Sequence, residues 1–300
     1  MKTLYMFPGQ GSQVVGMGKD LYESSAAARE IFDRVDAALG QKLTDLMFNG
    51  PMEELTKTAN AQPAIFAVSA AMVKAAQEKG ELPTPDFIAG HSLGEYTALW
   101  YAGCISLEDT VRLLRIRGDA MQDATPPNGG MAVVMGTDVD TLCDVCAAAE
   151  SDVGGVCSVA NDNAPGQIVI SGNGDTVNRA CELARESGAK RAMVLPVTMS
   201  GHCSLMQPAA DIVASELSKI DMTAPTIPFI SNMTTGVITD LDEIKKSLPY
   251  QMTHGVRWRE SVLAMPSLGI TRAIEIGPSS VLCGLVPRTE PSIEAIKLEV

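Results

Sequence analysis

The stretch Gly90-His91-Ser92-Leu93-Gly94 limits what this chain can fold into more than any other, because it directly follows the apolar run Phe87-Ile88-Ala89. A serine spaced G-x-S-x-G after a strand fits a strained turn into a helix, with the serine Oγ held clear of the sheet. The plainer reading is a strand passing through a glycine-rich turn. Glycine and serine are common enough that the pattern arises by chance, so its surroundings must decide.

The surroundings read as alternating strands and helices. Residues 4–7 form a short buried strand ending in the loop Pro8-Gly9-Gln10-Gly11-Ser12-Gln13, and helical spacing covers 26–39 and 64–77. After the strand 87–89 and the turn, helices are expected over 95–102 and 107–122. The cluster Thr125-Pro126-Pro127-Asn128-Gly129-Gly130 stops the second. The rhythm then changes. Strand 131–135, helix 139–150, strands 156–160 and 167–171 joined through Asn163-Ala164-Pro165-Gly166, helix 176–186 and strand 191–197 make a β-α-β-β-α-β order, the ferredoxin-like arrangement. Residues 129–197 therefore read as a small inserted subdomain, and 1–128 with 198–300 as the large α/β body. The body resumes with helix 207–220, strand 227–231, helices 241–247 and 258–267, strand 272–276 and a turn at Gly277-Pro278.

Composition removes several classes of function. Three hundred residues, 46% apolar, suffice for a substantial core. A formal charge of -13 and 4% aromatics argue against nucleic-acid binding, which needs a basic footprint and stacking platforms. No apolar run nears the ~18 residues that span a bilayer, and Pro8 interrupts the N-terminus before a signal-peptide core forms. Seven cysteines without an export signal read as reduced thiols, so a cytoplasmic protein is expected. Cys143-x-x-Cys146 lies within a helix and lacks the second pair a zinc site needs. Gly9-Gln10-Gly11 and Gly172-Asn173-Gly174 begin like dinucleotide loops, but valine stands at the third glycine position in each, and neither continues as a P-loop.

If Ser92 is a nucleophile it needs a base. The chain holds three histidines: His91, His202 and His254. His91 adjoins Ser92 through a sharp turn, where neighbours point apart, and is expected to orient the turn. His254 sits in Gln251-Met252-Thr253-His254-Gly255, read as a polar loop. His202 follows a strand end, where α/β folds place ligand chemistry, and is favoured, although a structural histidine stays open for each. Arg117 lies three and four residues after Leu114 and Leu113, on the apolar face of its helix. A guanidinium there needs an anion, either a structural partner or a substrate carboxylate held in two-pronged fashion.

In these residues the chain resembles the malonyl-CoA:acyl-carrier-protein transacylases, the loading enzymes of bacterial fatty-acid synthesis, over nearly its whole length. The resemblance rests on Phe7-Pro8-Gly9-Gln10-Gly11-Ser12-Gln13, Ala61-Gln62-Pro63-Ala64, Gly90-His91-Ser92-Leu93-Gly94-Glu95, and Arg117-Gly118 with Met121. It continues through Asn163-Ala164-Pro165-Gly166-Gln167, Leu195-Pro196-Val197 before His202, and Gln251 before Val256-Arg257-Trp258. The family implies a hydrolase-like α/β core with a parallel sheet plus the ferredoxin-like insert. It implies Ser92 as nucleophile and His202 as its base, oriented by the backbone carbonyl of Gln251 rather than by a carboxylate. Gln10 and Leu93 would supply oxyanion-hole N–H groups. Arg117, with Gln62 and Gln251, would bind the malonyl group. No metal or cofactor is implied, since the CoA thioester is itself a substrate. The implied partners are malonyl-CoA and phosphopantetheinylated acyl carrier protein.

Gly201 stands where phenylalanine or serine is frequent in the family and Gly255 where proline is common, departures that bear on substrate breadth; with no side chain at Gly201 beside the acyl site, some acceptance of an α-methyl group is expected. The rivals are an acyl hydrolase, a polyketide relative using another dicarboxylic extender unit, and a non-catalytic carrier-docking module. Carrier proteins are typically acidic, so docking needs a local basic patch, with Arg185, Lys190, Arg191, Arg257 and Arg259 as candidates.

Overall fold

The computed structural model describes residues 1–197 and 199–300. Its strands are β1 (Lys2–Phe7), β2 (Phe87–Gly90), β3 (Gly129–Met135), β4 (Cys157–Ala164), β5 (Gln167–Asn173), β6 (Arg191–Val194), β7 (Phe229–Ile230), β8 (Val237–Ile238), β9 (Ile270–Glu275) and β10 (Glu294–Lys297). They form two sheets, ordered β10-β9-β1-β2-β7-β8 and β4-β5-β3-β6. In the first, β10, β9, β1, β2 and β7 run parallel and only β8 is antiparallel.

The central strands are apolar on both faces. Leu4, Tyr5, Met6 and Phe7 are all fully buried. Tyr5 and Phe7 point into one core with Ile88 and the helices Ala26–Leu39, Thr58–Lys79 and Leu107–Ala124. Leu4 and Met6 point into the other with Phe87, Trp258 and Leu282. Helices on both sides of a parallel sheet produce this continuous apolar run.

The second sheet is antiparallel throughout, and its element order and strand order are those of a ferredoxin-like fold. Alternation decides its faces. Ala132, Val134, Ile168 and Ile170 meet the helices Val139–Val153 and Gly174–Glu186. Met131, Val133 and Val169 face the other way, with Leu195, Val197 and Met199. The expected subdomain boundary at 197/198 abuts Thr198, which lies outside the described residues.

Prolines account for most misplaced ends. The helix expected over 64–77 is Thr58–Lys79, with Pro63 in its second turn, where the bond to the carbonyl of Ala59 is the one forgone. The helix expected over 241–247 runs through Pro249 to Thr253, so Gln251 stands on a helix and not in a loop. Strand β4 extends through Asn161-Asp162-Asn163, leaving only Pro165-Gly166 as the turn, with Gly166 at φ 66. The helix Val281–Thr289 and β10 were not expected, because Gly284 and Pro287 mask the helical spacing.

Candidate active site

Strands β1 and β2 end side by side, with Phe7 paired to Gly90, and the N–H of His91 donates to the carbonyl of Phe7 at 2.9 Å. The loop after β1 therefore abuts the turn after β2, at the carboxyl edge where parallel sheets bind ligands. The turn is an elbow. Ser92 has φ 54, left-handed for a residue with a side chain. A Cβ on Gly90 would lie 1.9 Å from the backbone carbon of Gly94, and one on Gly94 would lie 2.1 Å from the carbonyl oxygen of Phe7. Only glycine fits either position. Asn232, just past β7, ties the elbow down: its Oδ1 accepts from the Ser92 N–H at 2.9 Å and its Nδ2 donates to the Gly90 carbonyl at 2.7 Å.

Ser92 Oγ lies 2.9 Å from His202 Nε2, and His202 Nδ1 lies 2.7 Å from the carbonyl oxygen of Gln251. A carbonyl only accepts, so Nδ1 carries the hydrogen and Nε2 of the neutral ring is left to accept from Ser92. Burial, then the nearby Arg117 guanidinium, depresses His202 to about 3, which keeps the ring neutral. His202 also sits at φ 64, so both members of the pair occupy a backbone region that side chains disfavour. Such residues persist only where the surroundings over-determine them.

Arg117 is 1% exposed. Gly118 lets its helix press onto the start of Thr58–Lys79, since a Cβ there would meet the Thr58 carbonyl oxygen at 2.6 Å. That contact brings Arg117 to Gln62. One terminal nitrogen donates to Gln62 Oε1 at 2.6 Å, and the other donates to Ser92 Oγ and to Gln251 Oε1, both at 3.0 Å. Its Nε has no partner among the described residues. Among the described residues no carboxylate comes within ion-pair distance of it. Every group holding the cation is neutral.

These side chains open into a cavity of about 350 Å³ lined by Gln10, Ser92, Leu93, Arg117 and His202 and walled by the second sheet through residues such as Val169. Among the described residues, the backbone N–H groups of Gln10 and Leu93 donate to no protein acceptor. Both residues line the cavity, and two N–H groups converging on one point are what an oxyanion requires. Gln62 and Gln251 do not line the cavity; they reach it through Arg117.

Of the other histidines, His91 Nε2 donates to Asn163 Oδ1 at 2.8 Å and its ring lies against Trp258, so it does hold the turn. His254 is exposed and stacks on Tyr250 at 3.6 Å, away from the cavity. Glu95 and Asn232 were missed by sequence reasoning. Glu95 is fully buried, with Oε1 accepting from the Asn232 N–H at 2.6 Å and Oε2 accepting from the Gln251 amide. Burial pushes its carboxyl up to about 8, against the pull of those two donors and of Arg117. Glu95 follows the elbow and Asn232 follows an expected strand; a polar residue at a strand's carboxyl end was the available signal.

Of the basic residues considered for docking, Arg257 and Arg259 pair with Glu260 and Asp162, whereas the exposed Arg185, Lys190 and Arg191 make no ion pair among the described residues. Cys143 is exposed and Cys146 buried, so the CxxC pair does not converge, and no metal-binding cluster of His, Cys, Asp and Glu occurs among the described residues. No helix there is long and apolar enough to cross a membrane.

The acyl transferase domain family matches residues 4–299. The malonyl CoA-acyl carrier protein transacylase of Bacillus subtilis (strain 168) is 45% identical over 98% of this chain and 92% of its own length. Among solved structures, the acyl-carrier-protein S-malonyltransferase of Bartonella henselae superposes with a TM-score of 0.96 at 45% identity, covering 100% of this chain and 96% of that one. A malonyl-transacylase solved in complex with its type II PKS acyl carrier protein superposes at 0.95 with 38% identity, covering 99% and 96%. The expected α/β body with its ferredoxin-like insert is that shared fold, and the chain belongs to the acyl transferase family, among the malonyl CoA-acyl carrier protein transacylases.

Proposed function

We propose that this chain moves a malonyl group from malonyl-CoA to the phosphopantetheine thiol of acyl carrier protein, through an ester on Ser92. His202 Nε2 takes the Ser92 proton as Oγ attacks the thioester carbonyl. The oxyanion forms against the N–H groups of Gln10 and Leu93. Collapse breaks the C–S bond, and the departing CoA sulfur takes the proton from His202. The carrier thiol then gives its proton to His202 and attacks the seryl ester, and Ser92 leaves with that proton. Arg117 receives the malonyl carboxylate, while Gln62 and Gln251 hold the guanidinium. No cofactor enters these steps, and the reaction suits a cytoplasmic protein.

The observation that carries this reading is the buried Arg117 cation, which makes no ion pair among the described residues and lies 3.0 Å from the nucleophile. A burial that lacks an acidic partner is costly, and a dicarboxylic acyl group supplies one. A simple ester substrate does not. Incubation with labelled malonyl-CoA, with and without holo carrier protein, tests it. Label should appear on Ser92 alone and pass to the carrier when it is added. Release as free malonate at equal rate in both arms would make the chain a hydrolase.

A further inference from the structure

Resting on that reading of Arg117, we propose that Glu95 is a positioning residue that sets the acyl preference of Ser92 by fixing which way the Gln251 amide faces.

Glu95 is the second residue of the helix Gly94–Tyr101, three residues beyond Ser92, and among the described residues it neither lines the cavity nor hydrogen-bonds Arg117. Both its oxygens are turned toward N–H groups, the backbone of Asn232 and the side chain of Gln251. Gln251 Nε2 also donates to the carbonyl of Ser92 at 3.2 Å. An amide has one accepting and one donating end. With the donating end committed to Glu95 and Ser92, the accepting end must face Arg117, as it does at 3.0 Å. With Glu95 ionised, the reversed amide would set its oxygen against two acceptors and its NH₂ against the guanidinium. Glu95 thus selects the orientation in which Arg117 gains an acceptor.

The arrangement has a second consequence. Glu95 is separated from Arg117 by one neutral amide, so it orients the cation without forming an ion pair with it. The charge stays available to a substrate carboxylate. Ionised, the carboxyl presents an accepting oxygen to each donor; a glutamine must present NH₂ to one of them. If it faces Gln251, that amide reverses and Arg117 loses an acceptor. If it faces the Asn232 N–H, the support of the elbow is lost instead.

The test is the initial rate of Ser92 acylation by malonyl-CoA and by acetyl-CoA, read by intact mass on the full chain. Glu95→Gln should lower the malonyl:acetyl preference roughly tenfold, the effect of losing one hydrogen bond to a charged group. Gln251→Met should lower it similarly, and the double variant no further, because both act through one amide. Glu95→Asp, whose shorter stem cannot reach both donors, carries the same test if the glutamine variant does not fold. Arg117→Ala is the reference. If it loses preference while the Glu95 variants keep the wild-type ratio, or if the Glu95 and Gln251 losses add, the inference is overturned and the Arg117 reading stands. If Arg117→Ala itself keeps the preference, both fall together.

Discussion

Arg117→Ala is the perturbation whose outcome the structure determines most directly. The guanidinium donates to Gln62, Gln251 and Ser92, and its Nε has no partner among the described residues. A malonyl carboxylate entering the cavity would meet a cation already desolvated and immobilised, so little ordering remains to offset the contact. Two charge-assisted hydrogen bonds are worth ~1.5–3 kcal/mol each. Water entering the truncated pocket recovers part of that, so the net loss is about 3 kcal/mol, or ~10²-fold in the second-order rate of malonyl loading. Acetyl-CoA has no carboxylate to lose and meets a less hostile cavity once the buried charge is gone. Its loading should change by less than ~10-fold, since at most one hydrogen bond to Ser92 is affected. Quenched-flow mixing with each thioester, followed by intact mass, gives both rates, and a thermal melt on the same samples separates chemistry from folding. Losses of equal size for the two thioesters would mean that Arg117 supports the fold and reads no carboxylate.

Ser92→Ala should abolish the covalent malonyl adduct in the same mass measurement; an adduct that survived would place the nucleophile elsewhere. His202→Ala should slow acylation by roughly 10²–10⁴-fold, the usual effect of a positioned base, whereas the exposed His254→Ala should do far less; the reverse order would refute the assignment. Gly94→Ala places a Cβ 2.1 Å from the Phe7 carbonyl oxygen, so β1 must separate from the elbow; acylation should fall by ~10² or more, and wild-type kinetics would refute the elbow's role. Because His202 is held near 3 when folded against its ordinary 6.5, the unfolded chain takes the proton first as pH falls through that window. This residue's share of stability should therefore drop by ~1.4 kcal/mol per pH unit. Glu95, raised to about 8, works in the opposite sense above its ordinary 4.5. His202→Ala should flatten acid denaturation between pH 6.5 and 3, and an unchanged profile would show the ring to be charged in the folded state.

The sequence disclosed what depends on near neighbours. Ser92 was legible from two glycines two residues away, Arg117 from leucines three and four residues back, and the insert from its alternating periodicity. Features settled by long-range contact were not legible. Glu95 matters through partners 137 and 156 residues distant, and Asn232 through one 140 residues distant. The strand was expected to stop at residue 160 and Asn163 to open the connection, because their partners were hidden, yet Asp162 pairs with Arg259 and Asn163 with His91 within a strand.

Gly201 shows the same limit and yields a sharper prediction. A missing side chain beside the acyl site reads as room for an α-methyl group. In the folded chain, however, a Cβ there would lie 3.2 Å from the Met121 terminal methyl and 3.3 Å from that of Met199. Two methionine ends already occupy the space. Methionine is unbranched and adapts to its neighbours more readily than other core side chains, so acceptance of methylmalonyl-CoA depends on whether these ends withdraw and not on glycine itself. Met199→Ala removes one of them without touching Ser92, His202 or Arg117. In a competition between malonyl-CoA and methylmalonyl-CoA it should raise the methylmalonyl share of Ser92 ester by several-fold, the usual discrimination of one methyl in a pocket being ~10-fold or more. An unchanged share in the variant, with wild-type malonyl loading retained, would mean that the α-carbon of the substrate lies elsewhere in the cavity.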